Sequence, residues 1–234
     1  MAILVNEINC LDAWLKVSNL ILVNGQQENV LITIDHPCDF TNLRTWLTVR
    51  NPKRIDLNAD HIRHVVNTIF PYNLSILCAN RSDLYLKYRS IYLNGNNRRW
   101  GTYFQRLISF DKHFQNNGAN QLENAIIALN GGSPQHHYIV FHLTAVNLNS
   151  NVAPMGAPCW HFGEITINND NTIDLVAIYR KHDYFNKAFG NFIGLAKLLE
   201  FICNNTGRIP GKLIVHSINA FNNSTRNNLV RLIA

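Results

Sequence analysis

Residues 192–203 read Phe192-Ile193-Gly194-Leu195-Ala196-Lys197-Leu198-Leu199-Glu200-Phe201-Ile202-Cys203, with Lys197 and Glu200 as the only charges. A segment of helical length that is apolar on nearly every side belongs to a helix buried between other layers, because a surface helix keeps a polar face. Gly207 and Pro210–Gly211 follow it as stop signals, and Leu213–His216 then reads as a strand. Upstream, Ile165 to Arg180 reads as two strands joined by the turn Asn168-Asn169-Asp170-Asn171. A hairpin, a buried helix and a further strand in succession predict an α/β (α+β) fold.

Working outward, Asn120 is an N-cap for a helix over Gln121–Asn130, whose Leu122, Ile126 and Leu129 share one apolar face and which Gly131–Gly132 stops. Tyr138–Thr144 has strand composition, and Asn94–Arg99 is a polar loop. Toward the N-terminus, Leu11–Leu20 carries apolar residues at helical spacing, followed by a turn at Asn24–Gly25 and an apolar strand over Val30–Ile34. His61–Phe70 suits a short helix ended by Pro71, and Ser75–Leu77 is too short to classify. There is no internal repeat, low-complexity tract or linker, so residues 1–234 are expected to form one domain.

The 234 residues are 47% hydrophobic and 15% charged, which excludes a disordered chain. No apolar run approaches the roughly 20 residues of a membrane span, and the start lacks the basic and apolar regions of a secretory signal. Five cysteines, Cys10, Cys38, Cys78, Cys159 and Cys203, lie far apart without zinc spacing, so free thiols in a reducing cytoplasm are expected and no metal site is. The net charge of +6 suits an anionic ligand. Scattered basic residues, with pairs such as Arg98–Arg99 but no long run, do not favour nucleic-acid binding as the main role.

Chemistry has two candidate locations. Cys159 follows the Pro/Gly-punctuated run 153–158 and leads into a strand, a placement that can hold a thiol at a pocket edge. A nucleophilic thiolate needs nearby positive charge, which Arg180 or His161 could supply; the other reading is a buried, inert thiol. Arg180 ends a strand and offers a planar fork to a phosphate or carboxylate, or else forms a surface ion pair. Asn191 either caps the buried helix or reads the edge of a base, since an amide offers one donor group and one acceptor.

Pro158–Cys159, then Arg180-Lys181-His182-Asp183, then Asn191 eight positions after that Asp, form a pattern. It resembles thymidylate synthase and its relatives, the pyrimidine nucleotide hydroxymethylases. That family has a Pro-Cys dipeptide, an Arg-Ser-x-Asp motif about twenty residues on, and an Asn opening a long apolar helix. Gly211-Lys212-Leu213-Ile214-Val215-His216 looks like the family's next strand. Trp100-Gly101-x-Tyr103-x-x-Arg106 is similar to its Tyr-Gly-x-x-Trp-Arg stretch, and Asn120-Gln121-Leu122 to its Asp-Gln-Leu. The closer likeness covers about a third of the chain.

The resemblance implies a thymidylate synthase-like fold, with a mixed sheet packed by the buried helix and a homodimer joined sheet to sheet. It implies a folate-dependent one-carbon transferase using 5,10-methylenetetrahydrofolate to place a methyl or hydroxymethyl group on C5 of a pyrimidine nucleotide or related substrate. Cys159 would be the nucleophile, Arg180 the ligand of the substrate anion, Asn191 the partner of N3 and O4, and Asp183 a support for the pterin or the pocket. Asn at position 191 favours a uracil-type ring. The histidine that follows the family's cysteine is Trp160 here, which leaves His161 to fill that role.

Other positions depart from the family. Its Arg-Thr-Gly loop is absent after Asn24–Gly25, His136–His137 stand where it has paired arginines, and its His-x-Tyr pair falls on Phe221 and Asn223. No Glu matches its Glu-Leu-Leu-Trp segment. Neutral histidines forfeit charge-assisted phosphate contacts. Three readings follow: a divergent transferase on a pyrimidine-like or other enolisable substrate; the standard reaction, with Arg44, Arg50, Arg98 and Arg99 replacing the lost arginines; or a non-catalytic relative binding nucleotide or RNA.

Overall fold

Seven strands form one mixed sheet among the residues that the computed structural model describes, namely 2–41, 59–93, 101–110, 118–131, 138–144 and 158–233. In chain order the elements are β1 (Ile3–Glu7), α1 (Cys10–Asn24), β2 (Gln27–Ile34), α2 (Ala59–Ile69), α3 (Tyr72–Ser75), α4 (Arg81–Leu93), α5 (Tyr103–Ile108) and α6 (Gln121–Asn130). They continue with β3 (Tyr138–His142), β4 (Trp160–Ile167), β5 (Thr172–Tyr179), β6 (His182–Asp183), α7 (Ala188–Asn204), β7 (Ile209–Phe221) and α8 (Arg226–Ile233). The sheet runs β1-β2-β7-β5-β4-β3, with β6 paired to β7. Pairing is parallel for β1–β2, β5–β7 and β6–β7 and antiparallel elsewhere.

Side chains alternate along the strands, so one face of the sheet is buried and the other only half-buried. On β5, Ile173, Leu175, Ala177 and Tyr179 point into the core. Helix α7 packs on β5 and β7, α1 packs on β1 and β2, and α2 lies against α7. α7 is therefore enclosed on several sides, which accounts for its apolar sequence. Its two charges serve each other at the edge: Lys197 Nζ meets Glu200 Oε2 at 2.8 Å and lies 4.2 Å from the ring centre of Phe40.

Several elements match the sequence reading closely. Asn120 caps α6 by accepting from the Glu123 N–H, and the helix runs over Gln121–Asn130. Asn168–Asn171 turns β4 into β5, with Asn171 at φ 66°. Gly25 ends α1 at φ 76°, a conformation with little penalty for glycine.

Two boundaries differ from expectation. α7 begins at Ala188, four residues before the apolar run, because its polar and small members Gly190 and Asn191 are buried against partners. β7 begins at Ile209 rather than Leu213, taking Pro210 and Gly211 into the strand. The β5–β7 register shifts between Ile173 and Leu175, and such an irregularity tolerates a residue without an N–H. At Gly211 the backbone also passes too close to Asp174 for a side chain; that carboxylate accepts from the Lys212 N–H at 2.6 Å. β1, α4 and α8 are elements for which the sequence offered no reading.

Gly190 and Gly194 let α2 approach α7. A Cβ on Gly190 would lie 2.6 Å from the Val65 Cβ, and one on Gly194 would lie 3.0 Å from the Ile69 Cβ. Gly190→Ala is expected to lower unfolding stability by about 1–3 kcal/mol through overpacking. A denaturant midpoint within error of wild type would show instead that α2 yields freely.

Candidate functional site

The β4–β5 hairpin brings Cys159 and Arg180 together. Trp160 pairs with Tyr179, and one step further the Arg180 N–H donates to the Cys159 carbonyl at 3.0 Å. The register shift between Trp160 and Phe162 bends this end of β4; the Trp160 indole N–H returns to the Phe162 carbonyl at 2.8 Å. From α5, the Tyr103 hydroxyl oxygen accepts from the Trp160 N–H at 3.2 Å, so Tyr103 lies against the residue that carries the thiol.

A cavity of about 310 Å³ opens here, at the small end of ligand pockets. Cys159, Asp183 and Asn191 line it, together with Tyr103, Lys181 and His182. Val65 of α2, Lys187 before α7 and Phe221 at the end of β7 complete much of the wall. Three of the expected site residues thus share one cavity. Arg180 stands next to Cys159, half-buried, and its guanidinium acts on the thiol by drawing its pKa down. His161 is half-buried on β4 and is not part of the cavity lining; burial pushes its pKa down, and Arg180 and His216 add to that effect.

Burial pushes the Cys159 thiol above the usual range, while the Arg180 charge and hydrogen bond and the Lys181 charge pull against it. The balance lies on the raised side, so the resting group is a thiol at neutral pH. Cys38 and Cys203 are pushed up to about 12 by burial and Cys10 higher still, as befits packed structural thiols.

Alkylation of the Cys159 peptide by iodoacetamide, followed by mass spectrometry, should therefore accelerate with pH through a midpoint above the ordinary thiol value of about 8.5. Arg180→Leu removes two lowering influences and should move that midpoint higher. A midpoint at or below the ordinary value would contradict this balance.

Asp183 is held by its own turn. Its Oδ1 accepts from the N–H groups of Phe185, Asn186 and Asn223 at 3.0, 3.2 and 3.3 Å, and Oδ2 accepts from Asn186 Nδ2 at 2.8 Å. Asn191 is not the helix cap: the N-cap of α7 is Lys187, without a side-chain bond, and Asn191 lies inside the first turn. Its Nδ2 donates to His182 Nε2 at 3.2 Å.

His182, Lys181, Lys187 and Tyr103 are lining residues that sequence reasoning passed over. His182 stood in the variable position of the motif, between the charged Lys181 and Asp183, where no local signal marks a buried ring. Gln121, part of the quoted Asn-Gln-Leu stretch, instead ties β3 to α5: its Nε2 donates to the carbonyls of His142 and Arg106. Trp100, Arg44, Arg50, Arg98, Arg99, His136 and His137 lie outside the described residues.

No family model matches the chain. Over 63 residues, 27% of the chain, it is 33% identical to a "Putative thymidylate synthase" of Methanococcoides burtonii. Over the same length it is 35% identical to a protein of that description from Methanosarcina barkeri. The match spans about 29% of the length of each of these curated relatives. The fold is mixed α/β, and the partial likeness is to thymidylate synthase-like proteins. Among the described residues no helix is long and apolar enough to cross a membrane.

Proposed function

We propose that the protein is a thymidylate synthase-like transferase that activates C5 of a pyrimidine nucleotide or related substrate through a covalent bond to Cys159. The observation that carries this reading is that Cys159, Asp183 and Asn191 line one cavity, with the Arg180 charge acting on the thiol. The Cys159 thiol loses its proton to solvent water, and the thiolate adds to C6, forming the S–C6 bond. The C5–C6 π electrons move toward O4, leaving an enolate whose carbon C5 is nucleophilic. Arg180 favours the thiolate as it forms, and an Asn191 N–H donated to O4 stabilises the developing charge.

The pterin of a folate has a ring N–H that asks for a fixed acceptor. Asp183 Oδ2 holds one protein hydrogen bond among those described, leaving a lone pair on a carboxylate that is otherwise clamped, so the donor set fits such a group. When bound, 5,10-methylenetetrahydrofolate supplies the one-carbon unit that C5 takes, with a methyl or hydroxymethyl product. Lys181 and Lys187 are the cations we assign to the substrate anion, in place of the family's arginines. The half-buried outer face of the sheet supports a homodimer joined through it, and the free thiols of the described cysteines fit a cytoplasmic setting.

The test is hydrogen–deuterium exchange at C5, followed by NMR in D2O with dUMP, UMP, dCMP, CMP and their nucleosides. Addition at C6 lets C5 take a deuteron and lose its original proton before the thiolate leaves, so exchange is expected for at least one nucleotide. The raised thiol of Cys159 favours a second reading, a non-catalytic nucleotide-binding relative. Binding without exchange across the panel would select it.

A further inference from the structure

His182 is 1% exposed, and its ring stacks on Tyr179 with centroids 4.1 Å apart and planes 3° from parallel. Both ring nitrogens are engaged. Nε2 faces Asn191 Nδ2 at 3.2 Å and Nδ1 faces Ser217 Oγ at 2.8 Å; the Tyr184 hydroxyl lies 3.2 Å from that same Oγ. Burial drives the imidazole pKa down to about 3, so the ring is neutral throughout the working range.

A neutral imidazole has one N–H and one bare nitrogen. An amide nitrogen only donates, so Nε2 is the bare nitrogen, and the Nδ1 proton goes to Ser217. The serine, having accepted, still has a proton and a second lone pair, so either hydroxyl can donate across the link to Tyr184. A reversed Asn191 amide would require an Nε2 proton and a proton donated by Ser217 to Nδ1.

We propose that His182 is a positioning residue that fixes which end of the Asn191 amide faces the cavity and thereby selects the base. With one N–H committed to His182, Asn191 presents its oxygen and its other N–H side by side. That edge complements a ring N–H beside a ring carbonyl, as in the 3,4 edge of uracil. Cytosine has a bare ring nitrogen beside an amino group and needs the amide reversed, with Oδ1 toward His182, which a bare Nε2 refuses. Ser217 holds the tautomer by accepting from Nδ1.

This inference rests on the pyrimidine reading of the cavity. Its test is the ratio of dUMP to dCMP dissociation constants, by titration calorimetry, in wild type, His182→Phe and Ser217→Ala. Phenylalanine keeps a flat ring against Tyr179 and removes the acceptor. Wild type should prefer dUMP, and His182→Phe should reduce that preference about tenfold, the factor a single neutral hydrogen bond controls. Ser217→Ala should reduce it less, and it carries the test if the phenylalanine variant does not fold.

Nitrogen-15 NMR should show His182 with a proton on Nδ1 and none on Nε2. An unchanged preference in the folded variants, or an Nε2 proton in wild type, overturns the positioning role alone. Failure of wild type to bind either nucleotide overturns the pyrimidine reading and takes the base-selecting role with it.

Discussion

Cys159→Ala should reduce nucleotide-dependent C5 exchange to the uncatalysed background, a loss on the order of 10³-fold or more, as when a covalent nucleophile is removed. The thiol is half-buried in the cavity wall and under the influence of the Arg180 charge. Alanine removes the sulfur that must bond to C6 and leaves the backbone bond between the Arg180 N–H and the Cys159 carbonyl in place. Nucleotide affinity should therefore stay within a few-fold of wild type, which separates a chemical role from a binding one. Cys78→Ser is the matched control, since Cys78 lies in a turn away from the cavity and should leave exchange intact. Full exchange in the alanine variant would remove the adduct from the mechanism.

Trp14→Ala should have the largest effect on stability. The side chain is fully buried in α1, its indole N–H donates to the Tyr184 carbonyl at 2.8 Å, and its ring lies 5.0 Å from that of Phe189. It thus anchors the turn after β6, which carries His182 and Asp183 into the cavity, and supports the first turn of α7. Removing it leaves a large void and an unpaired carbonyl, with an expected loss of about 3–5 kcal/mol. Trp14→Phe keeps much of the packing and should lose about 1–2 kcal/mol. Denaturant unfolding distinguishes the two; equal losses would mean that the hydrogen bond, rather than the filled volume, carries the anchor.

How far the fold was legible depended on whether a segment's burial pattern is set locally. α6 carries its own cap at Asn120 and its own apolar face at Leu122, Ile126 and Leu129, and it was readable residue by residue. The hairpin was readable because Asn168–Asn171 combine turn chemistry with flanking alternation. The start of α7 was hidden because Gly190 and Asn191 look like a break until Val65 and His182 are beside them. Pro210–Gly211 likewise reads as a stop, yet parallel pairing with β5 draws both residues into β7.

The same division holds for the site. Sequence alone determined which chemical groups are available and their order: a thiol after Pro158, a guanidinium at the end of a hairpin strand, and an amide near the head of a buried helix. These follow from residue type and spacing, and neighbouring residues express them without help. Only the tertiary structure decided that Cys159, Asp183 and Asn191 share one cavity while His161 stays outside its lining. It also decided that the His182 ring lies between Asn191 and Ser217, the latter 35 residues away, within hydrogen-bond distance of both. The physical reason is that a buried polar group must find its partner wherever the packing brings one, and no local pattern records a partner supplied by another strand.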